Sequence, residues 1–327
     1  MSNIPVNKGG RNFLRSLLGA KETGVFIPLI LMIVVLSIFG QNFLTVTNIF
    51  DVLRSSSFVG IAAMGLLLTV LTGGLDLSVG STMALGGILC SMFVVDFNMP
   101  LVLAIVVTLC LGGLIGMVNA LLINELRMGA IIVTLGMLSV VRGLGFIITQ
   151  GLPITGLPES FTFLGQGLLG GFFPVPILFF AGAALVLHMM LEYTVLGYHI
   201  FASGGNETAS IYSGINVKKI RYVAYACSGA LASLGGILLI ARLGVAQPSI
   251  AVGYELSIVA AVIIGGASLA GGEGSVLGSV IGILIIAVIS NGLVLMDIGG
   301  YYVQFANGSL ILIAVAINRL RNRHREA

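Results

Sequence analysis

Asp76, Ser78 and Ser81 follow the pair Gly73-Gly74 in a chain that is otherwise almost wholly apolar. A helix interrupted by glycines frees backbone N–H and C=O groups, which must be satisfied inside protein or in a wet cavity. A carboxylate and two hydroxyls at such a break read either as the lining or gate of a solute path, or as an interfacial helix start with Asp76 as its N-cap. Arg142 stands about halfway along a later apolar run. A bare cation there costs roughly 2.5–3.5 kcal/mol. It must therefore reach Asp76, a helix C-terminal end or a translocation cavity, form a structural ion pair, or snorkel to a membrane face; Gly143 and Gly145 beside it would let another helix approach. Asn119, Asn291 and Gln304 can each hydrogen-bond a hydroxylated solute or a neighbouring helix. The candidate translocation set is Asp76, Ser78, Ser81, Asn119, Arg142 and Asn291. This is chemistry for passage rather than for bond-making: no His, Asp or Glu cluster occurs within the spans, His188 and His199 lack ligand companions, and Cys90, Cys110 and Cys227 read as small hydrophobes in helices.

The elements that must position these residues are membrane helices. Hydrophobic residues make up 57% and charged residues 8% of the 327, with a mean hydropathy of +1.13, far from a soluble domain. At about 20 residues per span, roughly ten helices with short loops nearly exhaust the chain and leave no room for a soluble catalytic domain. No Gly-Lys dipeptide occurs, so a phosphate-binding loop of the G-x-x-x-x-G-K-[ST] type is excluded. The expected spans are Val25 to Gly40, Phe58 to Leu71, Leu77 to before Asp96, Pro100 to Ile123, Ile131 to Thr149, Ile177 to Leu191, Tyr222 to Ile240, Leu256 to Leu269, Val276 to Leu295 and Tyr302 to Ile317. The first is read as a retained span, because no small-residue cleavage pattern follows it. Gln41 to Ser57 reads as an interfacial turn, and Gln150 to Pro176 as the largest external loop, with room for a short helix. Arg242 and Glu255 flank an external turn at Gln247-Pro248 and can pair with each other or with a partner outside.

Twelve basic residues, among them Lys8, Arg11, Arg15, Lys21, Arg127 and those of the tail from Asn318 to Ala327, fall on one side of this layout, which predicts both termini inside. The layout gives a cytoplasmic segment 1–24, a transmembrane domain 25–317 and a basic cytoplasmic tail 318–327. Gly73-Gly74 with Gly80-Ser81 recurs at Gly271-Gly272 with Gly278-Ser279, and Ile123-Asn124 recurs at Ile317-Asn318; a duplicated helical unit and chance similarity of Gly-rich segments both account for this. Gly274, Gly278 and Gly282, four apart, suit helix packing or a dimer contact.

One long polar interval, Leu196 to Arg221, stands out. Ser203-Gly204-Gly205 reads as a loop, Asn206 as an N-cap, Glu207 as a carboxylate at the positive helix end, and Gly214 as a terminator. The helix between them spans about two turns, roughly 10 Å. Lys218, Lys219 and Arg221 then place it on the cytoplasmic side, as a docking part.

The pattern G-G-N-E-x-A-x-x-S-G-I-x-V at Gly204 to Val217 resembles the cytoplasmic coupling loop of the sugar-type permeases of bacterial ABC importers, the ribose permease group. Gly73 to Ser81, Ile131 to Arg142 and Ala241 to Ser275 are similar to the same family, so the likeness covers most of the chain from about Ile49. The resemblance implies an all-α polytopic permease of the inner membrane. A second permease copy or a paralogue would complete the pore, a cytoplasmic ABC ATPase dimer would hold the ATP and magnesium, and a periplasmic sugar-binding protein would deliver the solute. No cofactor is expected on this chain, and no nucleic acid among its partners. The implied ATPase-coupling residues are Gly204, Gly205, Asn206, Glu207, Ala209, Ile211, Tyr212, Ser213 and Gly214. A branched-chain amino-acid permease and an ion-coupled secondary transporter are the alternatives; the latter would more often show several carboxylates at span centres, where Asp76 is nearly alone.

Overall fold

In the computed structural model the described residues are 23–40 and 42–297, together with 302, 305, 308 and 309. The helices in chain order are α1 (Thr23–Phe39), α2 (Val46–Leu71), α3 (Val79–Val95), α4 (Leu101–Asn124), α5 (Ala130–Thr149), α6 (Glu159–Gln166), α7 (Val175–Tyr193), α8 (Val195–Gly205), α9 (Glu207–Tyr212), α10 (Val217–Leu243), α11 (Tyr254–Ile264) and α12 (Val276–Leu295). A two-residue hairpin, β1 (Leu168–Leu169) with β2 (Phe173–Pro174), lies between α6 and α7. Six of these helices, α2, α4, α5, α7, α10 and α12, are long and apolar enough to cross a membrane, and α1, α3 and α11 are shorter apolar helices. The chain is an all-α multi-pass membrane protein. The expected tenth span, the basic N-terminal segment and the tail fall outside the described residues, apart from the four separate positions, and so does Gln304.

The bundle is built around α2 and α10. Both are buried along most of their length, and α10 packs on α2, α3 and α4. Small residues set these approaches: a Cβ at Gly229 would lie 2.0 Å from Gly112 O, and one at Gly236 would lie 1.8 Å from Met83 O. Where hydrocarbon surrounds every helix, such backbone contact is what drives helices together. The outer helices carry the opposite pattern, with Leu31, Ile38, Val102, Ile132, Ile147 and Val186 among their exposed apolar side chains. Gly278 and Gly282 are used for packing, against Gly265 O and Ala261 O of α11, whereas Gly274 precedes α12. A Cβ on Gly143 would meet nothing within 4 Å among the described residues.

Three expected boundaries are corrected. The second span begins at Val46 rather than Phe58, because the strongly polar residues of its first turns have partners: Asn48 bonds Asn291, and Asp51 lies 3.8 Å from Arg54 and 3.9 Å from Arg242. Arg242 thus pairs with Asp51 and not with Glu255. The eighth span stops at Ile264, where Gly266 takes a φ of +93°. Ser203, Gly204 and Gly205 form the last turn of α8 rather than a loop, with Thr194 Oγ1 capping that helix by accepting from Gly197 N–H at 3.2 Å.

Two stretches of irregular backbone lie inside the bundle. At the end that carries α9, Gly73-Gly74 breaks the path from α2 to α3, and Gly73 meets Gly271, which in turn meets Gly204. From the hairpin end, residues 244–253 turn inward after an isolated bridge between Ala246 and Ile154. Helix α11, about 16 Å long, begins only where this segment ends.

Candidate functional site

The segment around α9 is built from caps. Asn206 Oδ1 accepts from Ala209 N–H at 2.9 Å, Gly214 ends the helix with a φ of +82°, and Asn216 Oδ1 accepts from Lys219 N–H at 3.0 Å to start α10. Ion pairs hold its flanks: Glu207 with Arg221 at 2.5 Å, and Glu125 at the end of α4 with Lys218 at 2.8 Å. Asn124 Nδ2 also donates to Lys218 O at 3.1 Å. Ser210 is buried, while Ile211 and Tyr212 are 56% and 87% exposed, so one face grips the bundle and two apolar side chains project from the other. Ala209 is exposed as well, and Ser213 Oγ–H donates back to Ala209 O at 2.9 Å. A cavity of about 690 Å³ opens beside this helix, lined by Arg127, Glu207, Lys218 and Arg221 at its mouth and by Gly73, Gly74 and Tyr225 further in.

Gly204 and Gly205 differ. A Cβ on Gly204 would lie 1.9 Å from Leu71 O and 2.6 Å from Gly272 N, whereas one on Gly205 would meet only Gly272 Cα, at 4.0 Å. Gly272 N–H donates to Leu71 O at 2.9 Å, so α8, the end of α2 and the loop before α12 meet backbone to backbone.

Asp76, Ser78, Ser81 and Asn119 come together, all buried. Ser78 N–H and Oγ–H donate to Asp76 Oδ1 at 3.1 and 2.6 Å, Ser228 Oγ–H of α10 donates to Oδ2 at 2.8 Å, and Asn119 Nδ2 donates to Ser78 Oγ at 3.0 Å. Ser81 Oγ–H donates to Ser78 O at 2.8 Å. Leu75 O accepts from Thr134 Oγ1 at 3.1 Å and from Tyr225 OH at 3.4 Å. The Leu75 carbonyl freed by the Gly73-Gly74 break is thus satisfied by α5 and α10, inside protein, while Asn119 of α4 bonds the Ser78 side chain. Asp76 does not cap α3 with a side-chain bond; the N-cap residue is Ser78. Ser228, Thr134 and Tyr225 have no sequence signature beyond being polar groups in apolar runs.

Arg142 lies apart from this cluster. Its Nη1 donates to Pro248 O at 2.8 Å and to Ile250 O at 2.6 Å, the inward-turning backbone before α11. Neither Asp76 nor a helix C-terminal end accepts from it among the described residues; the cation satisfies carbonyls that would otherwise be orphaned inside the bundle. Glu255 stands at the same junction, with Oε1 accepting from Gly253 N–H at 3.2 Å, and a Cβ on Gly80 would fall 2.2 Å from its Oε2.

Asn291 lies elsewhere again. It exchanges two hydrogen bonds with Asn48, at 3.0 and 2.8 Å, tying α12 to α2. Asn291 borders a cavity of about 430 Å³ between α2, α11 and α12, in the hairpin-side half of the bundle; its lining includes Asp51, Ser55, Tyr254, Ser257 and Ser290, none of them singled out by the sequence as passage residues.

The family described as branched-chain amino acid transport system / permease component matches residues 48–316. Among curated relatives, the ribose import permease protein RbsC of Escherichia coli K12 is 39% identical over 95% of this chain and 97% of its own length, and that of Bacillus subtilis 168 is 39% identical over 92% and 94%. The D-allose transport system permease protein AlsC of Escherichia coli K12 is 35% identical over 89% and 90%. No solved structure gives a significant match. With nearly its whole length matched, the chain belongs to the branched-chain amino acid transport system permease family, in the part of it populated by sugar permeases.

Proposed function

We propose that this chain is the membrane-spanning permease subunit of a bacterial ABC importer for a monosaccharide or a similar small polyhydroxylated solute. Supporting the reading above all is its 39% identity to ribose import permeases across nearly their full length. In this reading the subunit sits in the inner membrane with the α9 end, residues 1–24 and the tail 318–327 cytoplasmic. A second permease copy or a paralogue completes the pore, and a periplasmic sugar-binding protein delivers the solute at the hairpin end. The ATP and magnesium are held by an ABC ATPase dimer, and this chain makes and breaks no bond.

Ile211 and Tyr212 would sit in a groove of the ATPase as a helix docks, read by apolar anchors. Closure of the ATPase pair would push α9. The motion would reach α2, α10 and the loop before α12 through the junction at Gly204 and the ion pairs to Arg221 and Glu125, since packed elements move as rigid bodies.

The test is sugar-stimulated ATP hydrolysis by the reconstituted complex. Tyr212→Ala should abolish stimulation while permease abundance and thermal stability stay unchanged, because that side chain is 87% exposed. Stimulation retained in the variant would count against the docking role. The family's description names branched-chain amino acids, and uptake of leucine in place of sugars by the same complex would move the substrate to that class.

A further inference from the structure

We infer that the cavity between α2, α11 and α12 is a binding chamber for a single sugar ring on its way through the membrane. The inference rests on the proposed sugar import and deepens it by placing the solute. A hydroxyl in a membrane helix ordinarily turns back onto the carbonyl a turn earlier. Ser56, Ser57, Ser91 and Ser279 do so in this chain, onto Val52 O, Leu53 O, Gly87 O and Ser275 O at 2.6 to 3.0 Å. The hydroxyls of Ser55, Tyr254, Ser257 and Ser290 do not: all four border the chamber, and none has a hydrogen-bond partner among the described residues. They come from three different helices, so what brings them together is the fold and not a local motif.

Hydroxyls held open in an otherwise apolar wall suit a ligand that both donates and accepts. Val52, Val59, Ile283 and Ile286 make up much of the remaining lining, and a sugar ring offers C–H faces to such a wall and hydroxyl edges to the serines. Asp51 adds a charge-assisted acceptor at the rim. The volume, about 430 Å³, falls in the range of roughly 300–1,000 Å³ usual for small-molecule sites.

Charge separates this ligand class from an amino acid. Among the described residues no lysine, arginine or histidine lines the chamber, and the described cations paired with Asp51, Arg54 and Arg242, lie 3.8 and 3.9 Å from its Oδ1 and are engaged there. A zwitterion would bring a carboxylate with no counter-charge in a site of low dielectric. A neutral polyol needs none.

The experiment uses the complete importer in membrane vesicles and radiolabelled D-ribose, D-allose and L-arabinose below saturation. The variant S55A/S257A/S290A should lower uptake of the transported sugar by about tenfold or more, as expected for several lost hydrogen bonds. Ser57→Ala, whose hydroxyl is bound to Leu53 O and lies outside the chamber, should transport as the parent does. A second measurement guards against a folding defect: in Ser257→Cys, the introduced thiol should react with a soluble thiol reagent, and the transported sugar should slow that reaction while leucine does not. Parent-like uptake by the triple variant, or a thiol that sugar fails to protect, would overturn the chamber and leave sugar import standing. A parent importer that moves none of the three sugars would overturn both.

Discussion

Replacing Gly204 by alanine is the sharpest perturbation the structure offers. The added Cβ would lie 1.9 Å from Leu71 O and 2.6 Å from Gly272 N, and both neighbours are backbone, which cannot rotate away. Overpacking of this kind costs about 1–3 kcal/mol. Separating the strands of the junction also breaks the Gly272 N–H to Leu71 O bond, whose loss adds about 0.5–1.5 kcal/mol. The expected destabilisation is therefore roughly 2–4 kcal/mol, concentrated where α8 leads into α9. Gly205→Ala is the control. Its Cβ would meet only Gly272 Cα, at 4.0 Å, and a compatible Gly-to-Ala change in a helix stabilises by about 0.4–1 kcal/mol. Thermal unfolding of the purified permease and sugar-stimulated ATP hydrolysis of the complex should both fall in Gly204→Ala and hold in Gly205→Ala. A Gly204→Ala protein that melts and couples like the parent would refute the reasoning that this junction is a rigid, backbone-tight link.

Two further outcomes follow from buried polar groups. Asp76→Ala leaves Ser78 and Ser228 without their acceptor in the bundle interior, so the permease should lose about 1–3 kcal/mol. A double-mutant cycle with Ser228→Ala, read by thermal unfolding, should give a coupling of about 0.5–3 kcal/mol; additive effects would show that the bond contributes nothing. Arg142→Lys keeps the charge but not the planar fork that reaches two carbonyls, so it should not rescue. Both Arg142→Lys and Arg142→Ala should loosen residues 244–253, measured as faster reaction of a thiol introduced by Ser249→Cys, and unchanged reactivity would show that the inward segment does not depend on the guanidinium.

Composition and periodicity made the bundle legible: the span Val276 to Leu295 matches α12, and Ile131 to Thr149 differs from α5 by a single residue at its start. Apolar runs of this length have one stable fate in a bilayer, because every backbone group must be bonded within the segment. The helix at Asn206 was equally readable, since its cap, its first-turn carboxylate and its terminating glycine are local features. The polar start of α2 was not, because Asn48 and Asp51 are tolerated there by partners on α12 and α10 that lie far away in sequence.

What the sequence determined by itself is the class of the molecule and its local breaks and caps: membrane helices, a break at Gly73-Gly74 and a short capped helix between charged flanks. Only the tertiary structure decided which polar residues meet. It buried Asp76 against Ser228, turned Arg142 onto the carbonyls before α11, distinguished a locked Gly204 from an open Gly205, and gathered the free hydroxyls of Ser55, Tyr254, Ser257 and Ser290 around one cavity. The physical reason is range. Caps and hydrophobic periods are set by neighbours a few residues apart, whereas the partner of a buried polar group is set by how separate helices pack, and no local spacing records it.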